Sequence, residues 1–276
     1  MKRITAILLT LVLSLSLCTA VYAGETKEAS KDEKDRIEGE GYETYEDALL
    51  DYMEYFFEGD LGGMLSTFAV ETYVENYDIA KFLERAGIFS MSLGANGMFS
   101  GDNEYAISLK TARREASLTA YFTNQYIYYS MIAAGIEPSS ASSYDLDDYG
   151  GEADYMLDEL FADPFWIGAD IEILGVVAPE DAGDIVPEAY FSSANQENIE
   201  RIADWMGADE IVDAICVFTA DGEQGCQFMQ IARYGDVWYN VSLTGNLATI
   251  CGLDVYVGGL IGPELYDIDI AVPDKE

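Results

Sequence analysis

Three apolar, strand-forming stretches near the C-terminus restrict the fold of this chain more than any other feature. The predicted strands are Ile211–Thr219, Gly225–Arg233 and Val237–Leu243. The dipeptides Asp221-Gly222 and Gly235-Asp236 lie between them, and such dipeptides form the tight turns of β-hairpins. Because consecutive hairpins pair antiparallel strands, the sequence predicts an antiparallel β-meander in this part of the chain.

The earlier part of the chain has the apolar spacing of helices. Thr44–Phe57 carries one apolar face, and Thr44 with Asp47 resembles a capping box at its start. A long helix is predicted over Asn103–Ala134 as a helical insertion. Helices that precede strands indicate the α+β class rather than a wound parallel sheet. Capping residues and alternation predict three further elements: a helix capped by Asp60, a strand at Asp170–Val177, and a helix from Asn195 to Met206.

The first 41 residues are predicted to lie outside the folded domain. Residues 1–23 have the charged start, apolar run and small-residue cleavage site of a secretory signal peptide, with cleavage after Ala23. Residues 24–41 are polar and mixed in charge, which is typical of a tether. A single α+β domain is expected over residues 42–276, with a helical half at 42–165 and a strand-rich half at 168–276.

The signal peptide predicts a secreted or extracytoplasmic protein with no membrane span in its mature chain. Lipid anchoring through Cys18 is an alternative, because the residues before it resemble a bacterial lipoprotein box, although Leu17 stands where that box has a small residue. Cleavage after Ala23 leaves three cysteines in apolar stretches without CxxC spacing. These are expected to be small buried side chains, with one disulfide among them as the alternative. They are Cys216, Cys226 and Cys251.

The composition excludes several classes of function. The 276 residues include 51 acidic and 14 basic side chains, and the net charge of −37 would repel nucleic acid. The chain contains no histidine, which excludes histidine triads and histidine-ligated zinc. It also has no phosphate-binding glycine motif and no nucleophile elbow, so no cofactor is expected and no catalytic residue is assigned.

Two segments resemble the cone-shaped nuclear transport factor two-like superfamily. The run Tyr-Met-Glu-Tyr-Phe-Phe-Glu-Gly-Asp-Leu from Tyr52 to Leu61 resembles its opening of helix, Gly-Asp and short helix, and Tyr234–Tyr239 resembles its turn followed by a Trp strand. The chain is also similar to exported proteins of Gram-positive anaerobes. The resemblance implies that the opening helices pack into the concave face of a curved antiparallel sheet. Since the superfamily includes ketosteroid isomerases, polyketide cyclases and non-catalytic binding modules, the resemblance implies no single function.

The candidate binding residues are those expected to line a cleft between the opening helices and the sheet. Such clefts are mostly apolar with a few polar groups, although plain core packing is the preferred interpretation of any single aromatic side chain. Asp213 interrupts an apolar strand, and alternation favours a solvent-facing carboxylate there over a buried acid. The candidates are Tyr52, Phe56, Trp205, Asp213, Trp238 and Tyr239.

An acidic segment offers the one weak metal candidate. Asp145, Asp147 and Asp148 begin like a calcium loop, but Tyr149 and Met156 stand where an EF-hand loop has oxygen ligands. A solvated acidic loop is therefore the default interpretation, with calcium binding as an alternative.

Three functions are compatible with these features. The preferred interpretation is an exported soluble binding or interaction module without catalysis, whose ligand the sequence does not identify; a small apolar molecule and a cation are the candidate partners. The second is a small-molecule isomerase or dehydratase, which requires a buried carboxylate near a tyrosine hydroxyl in an apolar pocket. The third is a structural, acidic surface protein, with stabilisation by calcium as one version of it.

Overall fold

The computed structural model describes residues 36–78, 80–82, 104–133, 169–243, 245–252, 258–262 and 269–272. The predicted signal peptide with Cys18 and Ala23, and the acidic candidates Asp145, Asp147 and Asp148, lie outside the described residues. None of the described helices is both long and apolar enough to cross a membrane.

Helix α1 spans Tyr45–Glu58 and confirms the helix predicted at the start of the domain. The Thr44 hydroxyl accepts a hydrogen bond from the Asp47 amide N–H at 3.2 Å, which satisfies one of the free donors of the first turn. The helix ends at Gly59, whose φ of 74° closes it in a left-handed cap. Its buried face packs against the sheet through Ala48, Leu49, Tyr52, Met53 and Phe56.

The remaining helices of the N-terminal half differ in how well the sequence predicted them. Helix α2, Leu61–Ser66, begins as predicted, because the Asp60 carboxylate accepts from the Gly63 amide at 2.9 Å. Helix α3, Glu71–Asn76, was not predicted, since no side chain of its own segment caps it. Helix α4 spans Glu104–Ala133 and confirms the predicted long helix.

Five described strands form one open antiparallel sheet. Their order is β1-β2-β3-β4, and β5 pairs with the part of β3 that β4 leaves free. The turn at Asp221-Gly222 joins β2 to β3 without a register shift. Together with the helices, this sheet confirms the predicted α+β class. The strands are β1 (Ile171–Val177), β2 (Glu210–Ala220), β3 (Glu223–Tyr234), β4 (Val237–Ser242) and β5 (Leu260–Ile261).

Both faces of the sheet are covered. Even-numbered residues of β2 such as Ala214 and Cys216 belong to the core with α1 and α4, whereas odd-numbered residues such as Ile215 and Val217 belong to a second core. Helix α5, Ser193–Met206, packs on this second face. A strand that is covered on both sides has buried residues at consecutive positions, so it loses the simple alternation of buried and exposed residues.

The N-terminal cap of α5 is Ser192 rather than Asn195, which the sequence predicted. The Ser192 hydroxyl accepts a hydrogen bond from the Asn195 amide N–H at 3.3 Å. The Asn195 side chain instead donates to the Tyr190 carbonyl at 2.7 Å and so holds the segment before the helix. Serine and asparagine are comparable capping residues, and propensity alone does not choose between them.

Residues 36–41, here termed the N-terminal strap, are part of the folded domain, which corrects the prediction that the tether extends to residue 41. The Glu38 carboxylate is buried and accepts hydrogen bonds from the amides of Val70 at 2.7 Å and Thr72 at 2.9 Å. In return, the Glu71 carboxylate accepts from two strap amides at 3.0 and 3.2 Å. Glu38 therefore supplies the cap that helix α3 lacks in its own segment.

Candidate functional site

The six predicted binding residues lie on opposite faces of the sheet and do not line one cleft. Tyr52, Phe56 and Trp238 pack with the core that contains α1 and α4. Tyr239 and Trp205 pack with the second core. Asp213 occupies an odd-numbered position of β2 and is therefore also on the second face.

Tyr52 and Phe56 fill the protein interior. Both side chains are no more than 1% exposed, and the Tyr52 ring centroid lies 5.7 Å from that of Phe68 and 5.8 Å from that of Phe122. The Tyr52 hydroxyl donates to the side-chain carbonyl of Gln125 at 2.9 Å. Aromatic rings at these distances, with the hydroxyl satisfied internally, are typical of a close-packed core.

The other three aromatic candidates join elements of the domain together. Trp238 meets a tyrosine ring of α1 edge-on, with centroids 5.7 Å apart. The Tyr239 hydroxyl donates to the Gly39 carbonyl of the strap at 3.2 Å. Trp205 lies on α5, and its ring centroid is 4.7 Å from that of Phe82. These contacts explain the three residues as packing between neighbouring elements.

Asp213 is buried, and the expectation that its carboxylate faces solvent is wrong. Its residue is 4% exposed. The expectation assumed that alternate positions of β2 reach water, but α5 and the segments beside it cover that face as well. Asp213 is therefore the carboxylate that interrupts an otherwise apolar layer.

Three elements donate hydrogen bonds to the Asp213 carboxylate. The Tyr190 hydroxyl donates to Oδ2 at 3.1 Å, and the Gln230 Nε2 of β3 donates to Oδ1 at 3.3 Å. The Leu247 amide also donates to the carboxylate. Burial raises the pKa of Asp213 from 3.8 to about 6, although these hydrogen bonds favour the ionised form and lower it. Asp213 therefore changes its protonation state close to neutral pH.

Tyr190 and Cys251 lie beside Asp213 and Gln230. These four residues are here termed the Asp213 cluster. Burial and the nearby Asp213 charge raise the pKa of Tyr190, so its hydroxyl stays protonated and acts as a donor. Burial and the same charge raise the pKa of the half-buried Cys251 thiol to about 11. The thiol donates to the Ile185 carbonyl at 3.5 Å. Cys251 is therefore protonated at neutral pH and is not an activated nucleophile.

Short elements cover the Asp213 cluster. They are helix α6, Asn246–Ile250, and three 3₁₀ helices at Pro179–Asp181, Gly183–Ile185 and Glu188–Phe191. Side-chain amides hold this cover in place: Asn246 Nδ2 donates to Asn195 Oδ1 at 2.5 Å, and Asn198 Nδ2 donates to Asn246 Oδ1 at 3.1 Å. Gly245 leads into α6, and a Cβ there would lie 2.6 Å from the Gln230 Cβ and 3.0 Å from Asp213 Oδ1.

Gln230 and Tyr190 were not among the predicted site residues. The sequence contained a signal for Gln230. A two-residue turn at Asp221-Gly222 places Gln230 directly opposite Asp213 on the neighbouring strand, and the structure has this pair. Tyr190 had no such signal, because it reaches Asp213 from a 3₁₀ helix that precedes α5. None of the three cysteines forms a disulfide in the described part of the chain; Cys216 and Cys226 are buried as expected, and Cys251 is half-buried.

The described residues contain no group of three or more Cys, Asp or Glu side chains that is arranged to hold a metal ion. The described part of the Asp213 cluster has a single carboxylate, so its chemistry is proton exchange and hydrogen bonding. Comparison of the chain with models of protein families, with curated proteins and with solved structures found no match. The resemblance to the nuclear transport factor two-like superfamily therefore stays a prediction.

Proposed function

We propose that this protein is an exported binding module that holds a small ligand at the Asp213 cluster without catalysing a reaction. The observation that carries the proposal is a buried carboxyl group, with a tyrosine hydroxyl beside it, in an otherwise apolar layer. The burial of this carboxyl group costs more free energy than the burial of an apolar side chain of similar volume. Residues with such environments are concentrated at functional sites.

The chemistry of the cluster favours a ligand that carries a hydroxyl or amine group on an apolar body. Near neutral pH the Asp213 carboxyl accepts hydrogen bonds when ionised and donates one when protonated. Apolar side chains of the second core, among them Ile211 and Ile215, flank it on the same strand. Binding requires the cover to open, and short helices held by side-chain amides open locally at lower cost than a long packed helix.

The predicted signal peptide supports the exported part of the proposal. Cleavage after Ala23 would release a chain with an excess of negative charge, which favours solubility outside the cell.

A thermal-shift screen of small hydroxylated and amine compounds tests the binding function. A compound at one hundred times its Kd adds about 2.7 kcal/mol to the free energy of unfolding, or about 5–10 °C in Tm for a domain of this size. Hits are then measured with Asp213→Asn and Tyr190→Phe, and with Glu172→Gln as the control for an exposed carboxylate of β1. We expect both cluster variants to lose the shift and the control to keep it. Equal shifts in all four proteins would contradict the assignment of the site.

The distance of 3.1 Å between the Tyr190 hydroxyl and Asp213 Oδ2 favours a second candidate function, an isomerase or dehydratase. In such an enzyme Asp213 would move the proton and Tyr190 would donate to the developing negative charge. The test is deuterium incorporation next to the carbonyl group of model ketones in D2O, followed by NMR. Exchange that depends on Asp213 supports the enzyme, whereas rates equal to those of Asp213→Asn contradict it.

A further inference from the structure

Arg114 is a half-buried cation of helix α4 that has no acidic partner among the described residues. Its Nε donates to the Ala69 carbonyl at 3.3 Å, and its Nη2 donates to the Val241 carbonyl at 2.6 Å. Burial lowers the pKa of Arg114, which means that its surroundings do not compensate the charge. The ion pairs recorded for the described residues use other cations: Arg36, Lys81 and Arg233.

The two carbonyl groups use only one edge of the planar guanidinium group. Nε and one N–H of Nη2 form that edge. The other edge, formed by Nη1 and the second N–H of Nη2, has no acceptor in the part of the chain that the structure describes. The Tyr73 ring lies against the group, with its centroid 4.3 Å from Cζ. A free arginine edge presents two parallel donors, which match the two oxygens of a carboxylate or phosphate group.

Three tyrosine side chains act on the charge of the guanidinium group. Tyr73, Tyr121 and Tyr234 are close enough to influence the charge of Arg114. The hydroxyls of Tyr73 and Tyr121 have no hydrogen-bond acceptor within the described ranges, whereas Tyr234 donates to a backbone carbonyl at 3.5 Å. Phenol hydroxyls donate readily to anionic oxygens. The group is therefore rich in donors and lacks a described acidic acceptor.

We propose that Arg114, Tyr73 and Tyr121 form a binding site for the carboxylate or phosphate group of a small anionic ligand. The net charge of −37 repels anions at long range, so affinity must come from these short contacts. The Glu71 carboxylate, on the same helix as Tyr73, is already engaged by two strap amides. The site shares no residue with the Asp213 cluster and does not depend on the function proposed for it.

Isothermal titration calorimetry of the purified protein with acetate and with inorganic phosphate, at constant ionic strength set by sodium chloride, tests the proposal. The variants are Arg114→Gln, which removes the charge and one edge, and Tyr73→Phe, which keeps the ring and removes only the hydroxyl. Arg201→Gln, an exposed cation of α5, is the matched control for one lost positive charge.

We expect saturable binding of at least one anion by the wild type and by the Arg201 variant. Arg114→Gln should bind at least about tenfold more weakly, which is the usual effect of losing hydrogen bonds to a charged group. Tyr73→Phe should bind about threefold to tenfold more weakly, and it keeps the test valid if Arg114→Gln does not fold. Acetate binding without phosphate binding identifies a carboxylate ligand, and the reverse identifies a phosphate ligand. No binding of either anion by the wild type, or equal binding by wild type and Tyr73→Phe, overturns the proposal.

Discussion

Replacing Asp213 with asparagine should stabilise the protein more at alkaline pH than at acid pH. Burial raises the pKa of Asp213 from 3.8 to about 6, so the folded protein binds this proton more tightly than the unfolded chain does. The stabilising contribution of the carboxyl group is therefore complete below about pH 4 and is lost as the pH rises through about 6. Asparagine carries no charge and removes this dependence.

The magnitude follows from the raised pKa. A rise of about two pKa units corresponds to about 3 kcal/mol in the free energy of unfolding once the carboxyl group is fully ionised. Between about pH 4.5 and pH 8 the free energy of unfolding of the wild type should fall by about 2 kcal/mol through Asp213. The change is smaller than the full effect because part of the destabilisation is already present at about pH 4.5. Asparagine can keep both side-chain contacts, because its carbonyl accepts from Gln230 and its amide donates to the Tyr190 oxygen.

Urea unfolding at several pH values measures this effect. The free energy of unfolding is compared between wild type and Asp213→Asn at each pH, because the change in net charge affects both proteins alike and cancels in the difference. Glu172→Gln provides the control for the loss of one exposed carboxylate. We expect the advantage of Asp213→Asn over wild type to grow by about 2 kcal/mol from about pH 4.5 to pH 8.

An advantage that stays constant within about 0.5 kcal/mol over this range would refute the reasoning. If Asp213→Asn does not fold, the carboxyl carbon shift of Asp213 in the wild type gives the pKa directly by NMR. A titration midpoint below about 5 would then refute the argument that burial outweighs the three hydrogen bonds.

Three further predictions concern the N-terminal part of the chain. Glu38→Ala should lower the free energy of unfolding in urea by about 2–4 kcal/mol, because the amides of Val70 and Thr72 lose a buried acceptor. A loss below about 0.5 kcal/mol would contradict the strap contact. Gly41→Ala should lower the free energy of unfolding by about 1–3 kcal/mol more than Gly222→Ala does. Both glycines have a positive φ, but only at Gly41 would a Cβ lie 2.8 Å from an aromatic ring of β4. Equal losses in the two variants would contradict this. Mass spectrometry of the exported protein should find Gly24 as the first residue, whereas a lipid on Cys18 would support the anchored alternative.

The sequence determined the elements that depend on neighbouring residues. Helix α1 was predicted because Thr44, Asp47 and the apolar spacing act within one segment. The β2–β3 hairpin was predicted because the turn dipeptide Asp221-Gly222 lies between two apolar, strand-forming stretches. Such signals are local, because they lie within one segment and agree with the structure that the segment adopts.

The tertiary structure alone decided which of these residues are buried and which meet. The Asp213 carboxyl is buried because helix α5 and the cover close the second face of the sheet, and Tyr190 reaches it from a separate segment. Helix α3 begins where it does because Glu38, more than thirty residues earlier, accepts hydrogen bonds from its first amides. Contacts between distant segments leave no periodic pattern in the chain, because they depend on how the finished elements pack.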